Sequence, residues 1–119
     1  MKVVIISLLV GSLAGLLGAL CGIGGGIVMV PFFTGALNLT QKHAVATSLA
    51  VIVITAAVAT VNNTSNKLID WRIVACAATG AALAAWFGSD LMQKLSNQHL
   101  TKIFGMTLVI FGVHMLFKK

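Results

Sequence analysis

The chain has 119 residues, of which 59% are hydrophobic, and a mean hydropathy of +1.05. Only 8% are charged, against about 25% in a soluble domain, so the chain reads as an integral membrane protein without a soluble module. Its net charge is +6, but the basic residues stand singly between apolar stretches, which excludes the clustered footprint of a nucleic-acid binder.

The first apolar segment covers residues 3–21. Its small residues fall at Ser7, Gly11, Gly15, Gly18 and Gly22, one face of a helix, and this face predicts close helix packing. The segment has the outline of a secretory leader, but Leu20 precedes Cys21 where a lipoprotein cleavage site needs a small residue. It is therefore expected to stay as a membrane segment. Cys21 and Cys76 both lie in apolar stretches, form no metal or redox spacing, and are expected to act as small hydrophobes.

A break follows at residues 22–26. Gly24, Gly25 and Gly26 are consecutive, and each destabilises a helix by about 1 kcal/mol relative to alanine. Lipid offers no partners for freed backbone groups, so a break is tolerated only against protein or a water-filled cavity. Broken apolar segments are the sequence mark of transporter binding sites. Residues 27–37 then predict a half-helix of roughly 16 Å, too short to cross the hydrocarbon. Pro31 falls on its second turn. The free N–H groups at the start of this half-helix favour an anion. The competing explanation is a kinked helix with no ligand. Candidate anion-binding residues are Gly22, Gly24, Gly25, Gly26 and Ile27.

The second segment covers residues 44–63, with Thr40 as its N-cap and His43 as an interfacial polar residue or a proton relay. Thr47 and Ser48 join the candidate site as neutral hydroxyl donors, against back-bonding within the helix. For Thr55 and Thr60 back-bonding is the better expectation. Residues 62–70 form a polar loop, with Asp70 capping a third segment over 71–92. Ala77, Ala81, Ala84 and Gly88 make a second packing stripe there. Residues 90–101 read as another polar loop, and residues 100–117 as the fourth segment.

No carboxylate lies inside a span: Glu is absent, and Asp70 and Asp90 sit at segment ends. This argues against cation transport, which usually needs an intramembrane carboxylate. No nucleophile–base pair, metal cluster or cofactor motif assembles, so no enzyme, metal or cofactor is expected.

The run from Gly15 to Phe33 and the following HAVATSLAVIV resemble the sulfite exporter TauE/SafE family of bacterial and archaeal membrane transporters. The residues that carry this are Gly15, Gly18, Gly22, Gly24, Gly25, Gly26, Pro31, Ala44, Thr47, Ser48 and Leu49, with the IDWR at 69–72. The resemblance covers nearly the whole chain. It implies export or import of small sulfur-containing or organic anions, such as sulfite or sulfonates, across a plasma (inner) membrane. It also implies two related halves, of which residues 1–119 are one repeat. The expected partners are therefore the small anion, the lipid bilayer, and a second copy or a second half-size chain; nucleic acid is not one.

The expected fold is all-α: about four hydrophobic segments, the first broken or re-entrant at the glycines, assembling from two copies. If the broken unit crosses once, four crossings put both termini on one side. If it is a re-entrant hairpin, three crossings divide the positive residues evenly, Lys2, Lys42, Lys94 and Lys102 against Lys67, Arg72, Lys118 and Lys119. The second case suits an antiparallel homodimer. The leading expectation is a transporter, most simply an exporter. The alternatives are a passive small-anion channel, or a non-transporting subunit of a half-size pair. Replacing Gly25 with Val is expected to abolish transport in a protein that still assembles.

Overall fold

The computed structural model describes residues 1–118. Its helices are α1 (Lys2–Cys21), α2 (Gly26–Ala36), α3 (Gln41–Ser65), α4 (Trp71–Lys94) and α5 (Asn97–Phe117). Four of them, all but α2, are long and apolar enough to cross a membrane. The chain is an all-helical, multi-pass membrane protein.

Local chemistry sets the ends of these helices. Gly22 closes α1 in the left-handed region at φ 73°, its N–H donating to the Gly18 carbonyl at 2.8 Å. Gly24 and Gly25 share that region at φ 78° and 79°, a conformation costly for any residue with a Cβ. α3 ends in a Schellman motif with Lys67, not glycine, at the left-handed position. There Leu68 N–H donates to Asn63 at 3.2 Å and Lys67 N–H to Thr64 at 3.0 Å. Thr40, Asp70 and Ser96 cap α3, α4 and α5 through their side-chain oxygens.

The predicted loops are shorter than the polar residues suggest. α3 runs on through Asn62 and Asn63 to Ser65. α4 runs to Lys94, where an Asp90–Lys94 pair at 3.3 Å follows the helix surface, and Ser96 starts α5 immediately. Polar side chains at helix ends reach the headgroup region without ending the helix.

The break turns the chain back. A Cβ on Gly25 would meet the Ala14 carbonyl oxygen at 2.5 Å, and one on Gly18 would meet the Gly25 nitrogen at 2.8 Å. From there α2 runs antiparallel to α1. Its buried Met29, Val30 and Phe33 form one core with Val10 and Ala14, which a helix continuing beyond Cys21 could not reach. α3 then starts at the end where α1 started. Ala44 joins the same core, and Gly15 of α1 faces Thr55 of α3 at 4.0 Å for an ideal Cβ. Lys42 ties the start of α3 to the α4–α5 junction: its Nζ donates to the Gln93 carbonyl at 2.9 Å and its N–H to Asn97 Oδ1 at 3.1 Å.

The hairpin of the two topologies is therefore the one observed. Lys2, Lys42, Lys94 and Lys102 lie towards one end of the bundle, and Lys67, Arg72 and Lys118 towards the other; Lys119 lies outside the described residues.

The core sits wholly in α1, α2 and the start of α3. α4 and α5 have no buried residue among those described. The stripe on α4 has no partner among the described residues, and around Gly80 and Gly88 nothing lies within 4 Å of an ideal Cβ. The α1 stripe is used at Gly18 but not at Gly11, which also has open space. Cys21 and Cys76 are both exposed on this single chain.

The tight approach at Gly25 changes one expectation. A side chain there overlaps backbone, so Gly25→Val fails in folding and is not a clean test of transport. Gly25→Ala combines left-handed backbone strain with overlap, and should cost about 2–5 kcal/mol. Gly18→Ala, with overlap alone, should cost about 1–3 kcal/mol. Gly80→Ala should be neutral or slightly stabilising. Denaturant titration of the protein in detergent micelles checks this order.

Candidate functional site

The first four N–H groups of any helix lack an intrahelical acceptor. At α2 those groups are not met from elsewhere. Among the described residues, the N–H groups of Gly24, Gly25, Gly26 and Ile27 donate to no protein acceptor, whereas Val28 and Met29 both return to the Gly25 carbonyl at 3.1 and 3.0 Å. α1, α3 and the break place these groups near the middle of α3, beside Ile52.

The break opens on one side to a cleft of about 510 Å³. Gly15, Gly18, Gly22 and Gly24 form one wall, and Ile52, Thr55, Thr60 and Asn63 of α3 another. Ile69, Trp71 and Val74, at the entry to α4, close the outer side. Among the described residues no charged one lines it. Thr55 Oγ1 donates to the Ile52 carbonyl at 3.2 Å, leaving its oxygen as an acceptor. The Thr60 hydroxyl and the Asn63 amide donate to no other group among the described residues, so both are free to serve a ligand. The cleft therefore offers neutral donors on an apolar surface: backbone N–H, one hydroxyl and one amide.

The residues picked out in the sequence separate in space. Gly22 and Gly24 line the cleft. Gly25 is buried against Ala14, Gly26 is half-buried beside Ile52, and Ile27 is half-exposed. Thr47 is exposed and Ser48 is 2% exposed, its Oγ donating to the Val45 carbonyl at 2.8 Å; neither lines the cleft. Asn63 is a polar residue of the cleft that the sequence did not mark; Thr60, expected to back-bond as Thr55 does, makes no such bond among the described residues. The helical repeat held a signal for Asn63, because Ile52, Thr55, Ala59 and Asn63 follow one another at spacings of three and four. His43 is exposed, with Nδ1 2.7 Å from Thr40 Oγ1, and belongs to the cap of α3.

The family model of the sulfite exporter TauE/SafE proteins matches residues 4–119. The chain belongs to this family. Curated relatives of the TauE/SafE chain agree on the class. It is 25% identical over 113 residues to the probable membrane transporter protein YunE of Bacillus subtilis, covering 95% of this chain and 41% of that one. It is 32% identical over 120 residues to a probable membrane transporter protein of Haemophilus influenzae, covering 95% and 46%. A probable membrane transporter protein of Methanocaldococcus jannaschii is 28% identical over 114 residues, covering 91% and 43%. The chain thus spans less than half the length of these TauE/SafE relatives. No solved structure matches it.

The glycine break belongs to the part of this TauE/SafE chain that its family shares, and the cleft lies against it. If the cleft carries the transported solute, Asn63→Leu should reduce flux about tenfold, the worth of a hydrogen bond to a charged group. Thr47→Val, outside the cleft, should leave flux unchanged. Initial rates in proteoliposomes, normalised to folded protein, distinguish the two.

Proposed function

We propose that this chain is one half of a secondary transporter, working as an exporter, for small sulfur-containing or organic anions such as sulfite and sulfonates. The observation that carries the proposal is the set of unbonded N–H groups from Gly24 to Ile27 at the glycine break, of which Gly24 lines the cleft. A helix N-terminus presents a partial positive charge and aligned donors to an anion. With no Lys or Arg in the lining among the described residues, the anion is held without a strong ion pair, which suits a carrier that must also release it.

The apolar share of the cleft argues for the anion's form. Ile23, Ile52, Ile69 and Trp71 give a sulfonate's hydrocarbon part a surface to lie on. A doubly charged, heavily hydrated sulfate would lose its water to neutral donors alone. Monoanions and organic sulfonates are thus favoured.

The proposed partner is a second copy in the opposite orientation, and the two together form the two-repeat transporter. The bare faces of α4 and α5 are where it packs, since helices in lipid associate through small-residue contacts of the kind that the α4 stripe offers. The nearly even division of positive residues between the two ends removes the usual bias for one orientation. Relatives of about twice this length fit the same arithmetic.

The test is uptake by liposomes holding only this protein. The expected result is saturable flux of labelled sulfite and methanesulfonate, inhibited by each other and weakly by sulfate. Halide flux that does not saturate would establish a channel instead. Folded protein with no flux for any of these anions would remove the claim that the homo-oligomer is sufficient.

A further inference from the structure

The first residue of α3 lies in a second cavity, at the opposite end of the helix from the cleft. Gln41 is 7% exposed, and its Nε2 is buried without a hydrogen-bond partner among the described residues. A buried amide nitrogen without an acceptor is costly and calls for an explanation. Gln41 lines a cavity of about 600 Å³ with Thr34, Asn97, Gln98, Thr101 and Lys102.

The chemistry around it is one-sided. Among the described residues no carboxylate lines the cavity, and Asp90 is engaged with Lys94. Lys102 forms no ion pair among the described residues. The hydroxyls of Thr34 and Thr101 return their protons to helix carbonyls, Thr101 to Asn97 at 2.8 Å. Asn97 Oδ1 is taken by the Lys42 N–H at 3.1 Å, which leaves its amide nitrogen as the free end. The same bond holds together the N-terminal ends of α3 and α5, so two positive dipole ends meet here. The side chains with donors to spare are thus Gln41, Asn97, Gln98 and Lys102.

We propose that this cavity is a second oxyanion site, with the Gln41 amide as its seat and Lys102 as its charge. The last side-chain torsion of glutamine is soft, so a rotation turns the Gln41 N–H groups to a ligand in the cavity. The ligand is a small oxyanion: a sulfonate, sulfite or carboxylate from solution, or the phosphate of an anionic lipid headgroup. Gln41 precedes Ile52 by eleven residues, about 16 Å along α3, so the site is separate from the glycine break. Its binding stands independently of that break; its use as a waystation in transport rests on the function proposed above.

Glutamine side-chain amides give the experiment, since the chain has three, Gln41, Gln93 and Gln98. The full chain, labelled with ¹⁵N at glutamine, is placed in phosphatidylcholine nanodiscs and titrated with methanesulfonate. Gln41→Leu assigns the Gln41 signals by removing them. The Gln41 and Gln98 signals are expected to shift saturably, and Lys102→Gln, a change at an exposed residue, to weaken the response about tenfold. Asn63→Leu in the cleft should leave this response in place, which separates a failure here from a failure of the glycine-break site. A shift in discs containing phosphatidylglycerol, with no methanesulfonate, would identify the lipid as the source. Gln41 signals that move with neither, or move equally in Lys102→Gln, overturn the proposal.

Discussion

The close approach of two backbones at Gly25 and Ala14 is the constraint on which the rest of the structure depends. Between helices in lipid there is little hydrophobic driving force, so contact itself has to hold them together. Here the contact is made with no side chain in between: a methyl group at Gly25 would sit 2.5 Å from the Ala14 oxygen, and one at Gly18 would sit 2.8 Å from the Gly25 nitrogen. Because the chain can lie that flat against itself, α2 folds back along α1. Met29, Val30 and Phe33 then meet Val10 and Ala14, and α3 is delivered to the end where α1 began. The same turn leaves the first N–H groups of α2 without partners. Packing and chemistry at the break are one feature.

Much of this was legible in the residues. Three glycines in an apolar run announce a break, and Thr40 and Asp70 announce helix starts, because these are properties of short stretches. The direction of α2 was not legible, since a broken helix has the same local sequence whether the chain goes on or turns back. That is decided by Gly18 and Gly25, seven residues apart, meeting in space. The cleft was half legible. Its glycine wall came from the motif, but Thr60 and Asn63 enter from the far end of α3, which reaches the break only once the hairpin has set the level of α3. Thr47 and Ser48 follow the motif in sequence, yet Ser48 faces the core and bonds within its own helix. Ser96 was hidden inside a run of polar residues that looked like a loop.

The two sides of the break differ in stiffness. Towards α1 it rests on the Ala14 carbonyl, which cannot move without moving a helix. Towards α3 it rests on the side chain of Ile52, whose carbon atoms lie 3.1–3.4 Å from the place of a Cβ on Gly24. A rotamer change is enough to alter that second contact. The glycine turn is thus fixed on its α1 side and faces a movable side chain on its α3 side.

The hairpin also has an arithmetical consequence. Whether α1 and α2 are counted as two passes or together as a hairpin that does not cross, the chain makes an odd number of passes, five or three, between Met1 and Lys118. Two such units joined tail to head by a short loop cannot point the same way. The second begins where the first ended and is inverted by parity alone, with no extra linking helix. Duplication of this unit would build an up–down pair in one step, and the shape of a polypeptide of twice the length would follow from the glycine turn near its start.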